Sequence, residues 1–133
     1  MLFREVNFDE TRKRARRVLN QYRRLIRITG RSPIDLKSPI LSDMPRGGQS
    51  GNGSEDAIIQ RMDAERELDR IEQALKCLSA KSRHVLYYSF CVQDKFTNIK
   101  IGGLLGYSDK SVEYFKRDAL VEFAEAYGVV VYF

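Results

Sequence analysis

The sequence predicts an all-α protein, and three observations carry that reading. Apolar residues recur at intervals of three and four through most of the chain, the repeat of one buried helical face. Side chains that cap helices and glycines that stop them bracket the periodic stretches. Strand-forming residues gather only at Val129 to Phe133.

Asn7 to Thr29 reads as one long helix, with Asn7 and Glu10 spaced as a capping box and Gly30 as the stop. Ala15, Val18, Leu19, Tyr22, Leu25 and Ile26 form its apolar stripe. Its other faces carry Lys13, Arg14 and six further arginines: Arg12, Arg16, Arg17, Arg23, Arg24 and Arg27. Charge on a helix usually makes a solvated face, but here nearly all of it has one sign, and like charges at i,i+4 repel. A polyanion relieves that repulsion, so these six arginines are candidate contacts to phosphates of a nucleic-acid backbone. An anionic membrane surface is the weaker alternative, because the stripe is modest and lacks tryptophan.

From Arg31 to Gly53 the periodicity stops. All three prolines and the run GGQSGNGS fall here, which reads as a linker. With no Gly-Lys-Ser/Thr ending and no preceding apolar strand, these glycines do not make a nucleotide loop. The chain thus divides into residues 1–53, a basic helix with its linker, and residues 54–133, a helical domain. Ser54 caps the next helix, whose predicted buried stripe is Ile58, Met62, Leu68, Ile71, Leu75 and Leu78. A third helix runs from about Ala80 to Cys91.

The stretch that organises the rest is FTNIKIGGLLGYSDKSVEYFKRDALVEF, from Phe96 to Phe123. It reads as two helices joined by a tight turn, a helix-turn-helix. Gly106 supplies a left-handed residue, and Ser108 caps the second helix with Asp109 in its first turn. Ile101, Leu105, Tyr107, Val112 and Phe115 share an inner side, and Gly102 is the small residue where the helices cross. The second helix extends to Tyr127 and stops at Gly128. The tail from Val129 to Phe133 is then expected to be buried on its own chain, with a homodimer contact as the alternative.

Charge points to a partner. Residues 1–53 hold 12 Lys and Arg against 5 Asp and Glu, a balance of +7. Residues 54–133 hold 11 against 13, a balance of −2, giving the net +5 of the whole chain. Double-stranded DNA fits that attractor. In a helix-turn-helix the second helix enters the major groove, which places Lys110, Ser111, Tyr114 and Arg117 as base readers and Glu113 as an acceptor from cytosine. Thr97, Asn98, Lys100 and the cap Ser108 stand where they would meet the DNA backbone.

Other chemistries find little support. Cys77, His84 and Cys91 recur every seven residues, but on one helix neighbours would lie about 10 Å apart, too far to share a metal ion. Both cysteines read as small buried hydrophobes. One histidine, without an acid or nucleophile at a telling spacing, suggests no enzyme, and no cofactor is expected. No apolar run is long enough to span a bilayer, and acids interrupt the first ten residues where an export signal needs its apolar core.

The segment LSAKSRHVLYYSFCVQDKFTNIKIGGLLGYSDKSVEYFKRDAL resembles region four of bacterial sigma factors. The whole layout resembles more closely the ArpU family of phage-encoded transcriptional regulators, through QYRRL, MPRGGQSGNGSED, RMDAERELDRI and LGYSDKSVEYFKRDALVEFAEAYG. The resemblance covers nearly the whole chain, and its specific parts are the linker and the LGYS turn. It implies a regulator of late phage genes for packaging and lysis, acting on DNA in the bacterial host cytoplasm. It implies reading residues at Ser108, Lys110, Ser111, Tyr114 and Arg117. On this reading host RNA polymerase is a candidate partner. The alternatives are a small terminase-like packaging initiator and an adaptor that works on polymerase. Gly103 beside Gly102 departs from the family's usual helix former.

Overall fold

A computed structural model describes residues 4–34, 54–94 and 96–133. Its elements are α1 (Phe8–Leu19), α2 (Tyr22–Thr29), α3 (Glu55–Lys76), α4 (Ala80–Leu86), α5 (Asn98–Leu105) and α6 (Asp109–Tyr127). A π-helical turn, Tyr87–Cys91, continues α4. The fold is all-α, as the periodicity predicts. The linker beyond Ile34 and the boundary near residue 53 lie outside the described residues.

The predicted single helix over 7–29 is two. Asn20 and Gln21 keep helical angles with ψ near zero, and Gln21 N–H bonds to Val18 three residues back. That tighter turn re-aims the chain between α1 and α2. The cap and stop are where the sequence puts them: Asn7 accepts from Glu10 N–H at 3.2 Å, and Gly30 is left-handed at φ 69°.

Two clusters form the interior. The larger joins α1, α2, α3 and α6 through Leu19, Tyr22, Leu68, Ile71, Leu75, Leu120 and Phe123. The smaller joins α4, α5 and α6 through Val85, Ile101 and Val112, flanked by Tyr88, Phe96, Leu105 and Phe115. Three sequence expectations need correction. Ile58 and Met62 are each 50% exposed, so only the later part of the α3 stripe is buried, where α2 and α6 reach it. Cys77 is exposed at the end of α3, whereas Cys91 is buried and its thiol pKa is pushed up by desolvation. Tyr107, expected inside, is 43% exposed and meets Phe115 edge-on.

Polar groups tie the larger cluster together. The buried Tyr22 hydroxyl donates to Glu72 Oε2 at 2.9 Å and accepts from Ile34 N–H at 2.8 Å. Arg31 reaches Glu72 at 2.8 Å and Asp69 at 2.7 Å, so the start of the expected linker is fastened to α3. Arg61 donates to the Thr29 carbonyl, satisfying the end of α2. The tail pairs with its own chain: Val6 and Tyr132 form an antiparallel bridge, and the Thr11 hydroxyl accepts from Val131 N–H. Val129 and Val130 pack on the core, while Phe133 stays 75% exposed.

A Cβ at Gly102 would sit 2.2 Å from the Tyr107 carbonyl oxygen, whereas one at Gly103 would meet nothing within 4 Å. Gly102→Ala should therefore cost about 2 kcal/mol by forcing the turn open. Gly103→Ala should gain about 1 kcal/mol from helix propensity alone. Urea denaturation measures both, and equal effects would refute the close crossing.

Burial raises the Glu72 carboxyl above its usual range, outweighing the Tyr22 bond and the Arg31 charge. The folded state then favours the protonated form. Its stabilising contribution is complete below the unfolded value near 4.5 and is lost as pH rises through the folded value. Melting curves of Glu72→Gln should match the parent near pH 4 and gain on it toward pH 7. A gap that moves the other way would show Arg31 controlling the carboxyl.

Candidate nucleic-acid interface

α5 and α6 meet across three residues, Gly106 to Ser108. Gly106 takes φ 83°, and the N–H groups of Gly106 and Tyr107 both bond to the Gly102 carbonyl at 2.8 Å. This closes the end of α5 with a left-handed cap. Ser108 starts α6 by accepting from Ser111 N–H at 3.1 Å, and the two hydroxyls also bond to each other. Val112 is buried against Ile101, which turns the opposite face of α6 outward. Lys110, Tyr114 and Asp118 form that outer stripe, and Tyr114 is 65% exposed.

Beside this stripe, α1 and α6 form the walls of a cleft of about 820 Å³. α1 contributes Asp9, Arg12, Lys13 and Arg16, with its C-cap Asn20, and α6 contributes Glu113, Lys116 and Arg117. Asn98, Phe96 and the turn residues Ser89 and Phe90 complete it. Arg12 is paired with Asp9 at 2.7 Å and Lys13 with Glu10 at 3.3 Å. Lys116 donates to Asn98 Oδ1 at 2.7 Å. Arg16 and Arg117 have no partner among the described residues. The Ser89 hydroxyl is buried and likewise unpaired.

Two curated relatives match nearly end to end. The "Putative autolysin regulatory protein ArpU" of Enterococcus hirae is 56% identical over 126 residues, 95% of this chain and 92% of that protein. A protein of the same name from Streptococcus phage O1205 is 30% identical over 129 residues, 96% of this chain and 94% of its own. The chain belongs to the ArpU family. No family model and no solved structure matches it.

In this ArpU-family chain the residues singled out in the sequence separate into groups. Arg12, Arg16, Asn98 and Arg117 come together in the cleft. Lys110 and Tyr114 stand on the outer stripe, with Ser111 half-buried against Ser108. Arg17, Arg24 and Arg27 are exposed away from the cleft lining. Thr97 caps α5 by accepting from Lys100 N–H at 3.2 Å, and the Lys100 ammonium sits 4.0 Å from the centre of the Phe96 ring.

Arg23 is engaged inside the fold. It donates to the carbonyls of Val92 at 2.6 Å and Ser89 at 3.3 Å, closing the π-helical turn, and desolvation lowers its pKa. The sequence reading missed Asn20 and Lys116 as cleft residues. The signal was present in Arg12, Arg16 and Asn20, spaced i, i+4, i+8 on one face. Among the described residues no group of His, Cys, Asp and Glu could hold a metal ion, and no helix is long and apolar enough to cross a membrane.

Ser89→Ala removes a buried hydroxyl that pairs with nothing among the described residues, so its stability should equal or exceed the parent's by up to about 1 kcal/mol. Chemical denaturation checks this. A clear loss would mean that the hydroxyl has a partner when the protein is in solution.

Proposed function

We propose that this protein is a sequence-specific DNA-binding regulator of transcription, with α5 and α6 as a helix-turn-helix. The observation that carries the reading is the outer stripe of α6, turned to solvent by the burial of Val112 and flanked by Arg16 and Arg117, which have no partner among the described residues. A major groove admits such a helix, and phosphates on either side would meet the cations. Lys110, Ser111 and Tyr114 are the base readers. Arg117, a base reader on the sequence reading, stands on the cleft wall beside Arg12 and Arg16, a position that favours phosphate. Thr97, Asn98, Lys100 and Ser108 lie at the helix starts that would border the strand. Arg12, Arg16, Arg17, Arg24 and Arg27 supply affinity without sequence preference.

Control of late lysis and packaging genes in a bacterial host's cytoplasm is part of this proposal; the relatives' names refer to autolysin regulation, and one relative comes from a phage. A second reading, contact with host RNA polymerase, is favoured by Ile99 and Leu104, which α5 exposes at 73% and 56%.

Selection of bound fragments from a random duplex pool should return one defined site. On that site Tyr114→Ala or Lys110→Ala should lose about 1–3 kcal/mol and relax one base position, with random DNA bound as before. Equal weakening on all sequences would remove both from base reading. The Arg16→Ala/Arg17→Ala double variant should flatten the salt dependence of binding, and an unchanged slope would place the phosphate contacts elsewhere.

A further inference from the structure

We propose that the cleft between α1 and α6 is a binding site for a phosphate group, held between Arg16 and Arg117. These two cations come from opposite ends of the chain, line one cleft and lack partners among the described residues. Their neighbours already have acidic partners, Asp9 for Arg12 and Glu10 for Lys13. Asp9 and Glu113 also line the cleft, but Arg12, Lys13, Arg16, Lys116 and Arg117 outnumber these two acids, so its net charge is positive and suits a doubly charged tetrahedral anion. A guanidinium fork meets two phosphate oxygens at once, which a carboxylate-sized ligand between two arginines would satisfy less fully.

Two further features favour phosphate over a bare inorganic counterion. Asn20 and Asn98 bring amide groups to the same walls, and Asn98 is oriented by the Lys116 bond to its Oδ1. The volume, about 820 Å³, exceeds what one phosphate needs and leaves room for the sugar attached to it. Phe90 and Phe96 in the lining give such a sugar an apolar surface. The phosphate can belong to a DNA strand or to a free phosphorylated compound, and the site has the same chemistry for both.

The test is calorimetric titration of the full chain with inorganic pyrophosphate at low ionic strength. One saturable site is expected, weakened about tenfold by Arg16→Ala and by Arg117→Ala, as loss of one charge-assisted contact implies. Arg66→Ala, which removes an exposed α3 arginine paired with Asp63 and absent from the cleft lining, should leave it unchanged. Absence of saturable binding, or equal weakening in all three variants, would overturn the proposal.

Adding pyrophosphate at constant ionic strength to the protein bound to a labelled random duplex identifies the source. Release of the duplex assigns the site to strand phosphate, and retention with pyrophosphate bound assigns it to a free phosphate compound. Each outcome supports a phosphate site. Should no duplex bind at all, the DNA-binding reading fails while the pyrophosphate titration still decides this one.

Discussion

The burial of Ala119, Leu120, Phe123 and Ala124 against the first and third helices is the constraint on which the rest of the molecule depends. Each large side chain fully buried there stabilises the fold by roughly 1.5–3 kcal/mol. The same helix, two turns earlier, buries only Val112 and half-buries Phe115. One rigid rod is therefore core at its C-terminal half and surface at its N-terminal half. Because the rod is continuous, the exposed half takes its orientation from the buried half. Val112, packed with Val85 and Ile101, then fixes which face of that half turns outward.

Arginine serves two purposes in this chain, and burial separates them. Arg23 and Arg31 reach inward, Arg23 to the carbonyls of Val92 and Ser89 and Arg31 to the carboxyl of Glu72. Arg16, Arg17, Arg24 and Arg27 stay in water. In sequence they look alike, since QYRRL places Arg23 directly beside Arg24. On a helix, adjacent residues are a hundred degrees apart, and that angle alone sends one to the interior and the other outward.

What the sequence made legible was local. Asn7, Ser54 and Ser108 act as the N-caps the sequence marks, because a cap is decided by three or four consecutive residues, and the structure adds Ser79 and Thr97. Gly30, Gly106 and Gly128 all take positive φ for a similar reason. What it hid was set by distant partners. Ile58 and Met62 have the spacing of a buried stripe and are half exposed, since nothing among the described residues covers that part of the helix. The break at Asn20 keeps helical angles on both sides and so leaves no strong signature in residue type. Part of the cleft was legible through its arginines. Its far wall was not, because the approach of α1 to α6 joins residues about a hundred positions apart.

The antiparallel pairing of residues 5–7 with 131–133 has a consequence for how the molecule opens. Asn7 N–H bonds to Val131, Phe133 N–H to Glu5, and the Thr11 hydroxyl exchanges bonds with Val131. Fraying at one terminus strips partners from the other, so the two ends form a single cooperative unit of local unfolding. The polypeptide behaves as a clasped ring, and the stability of its first helical turn is linked to its last residues.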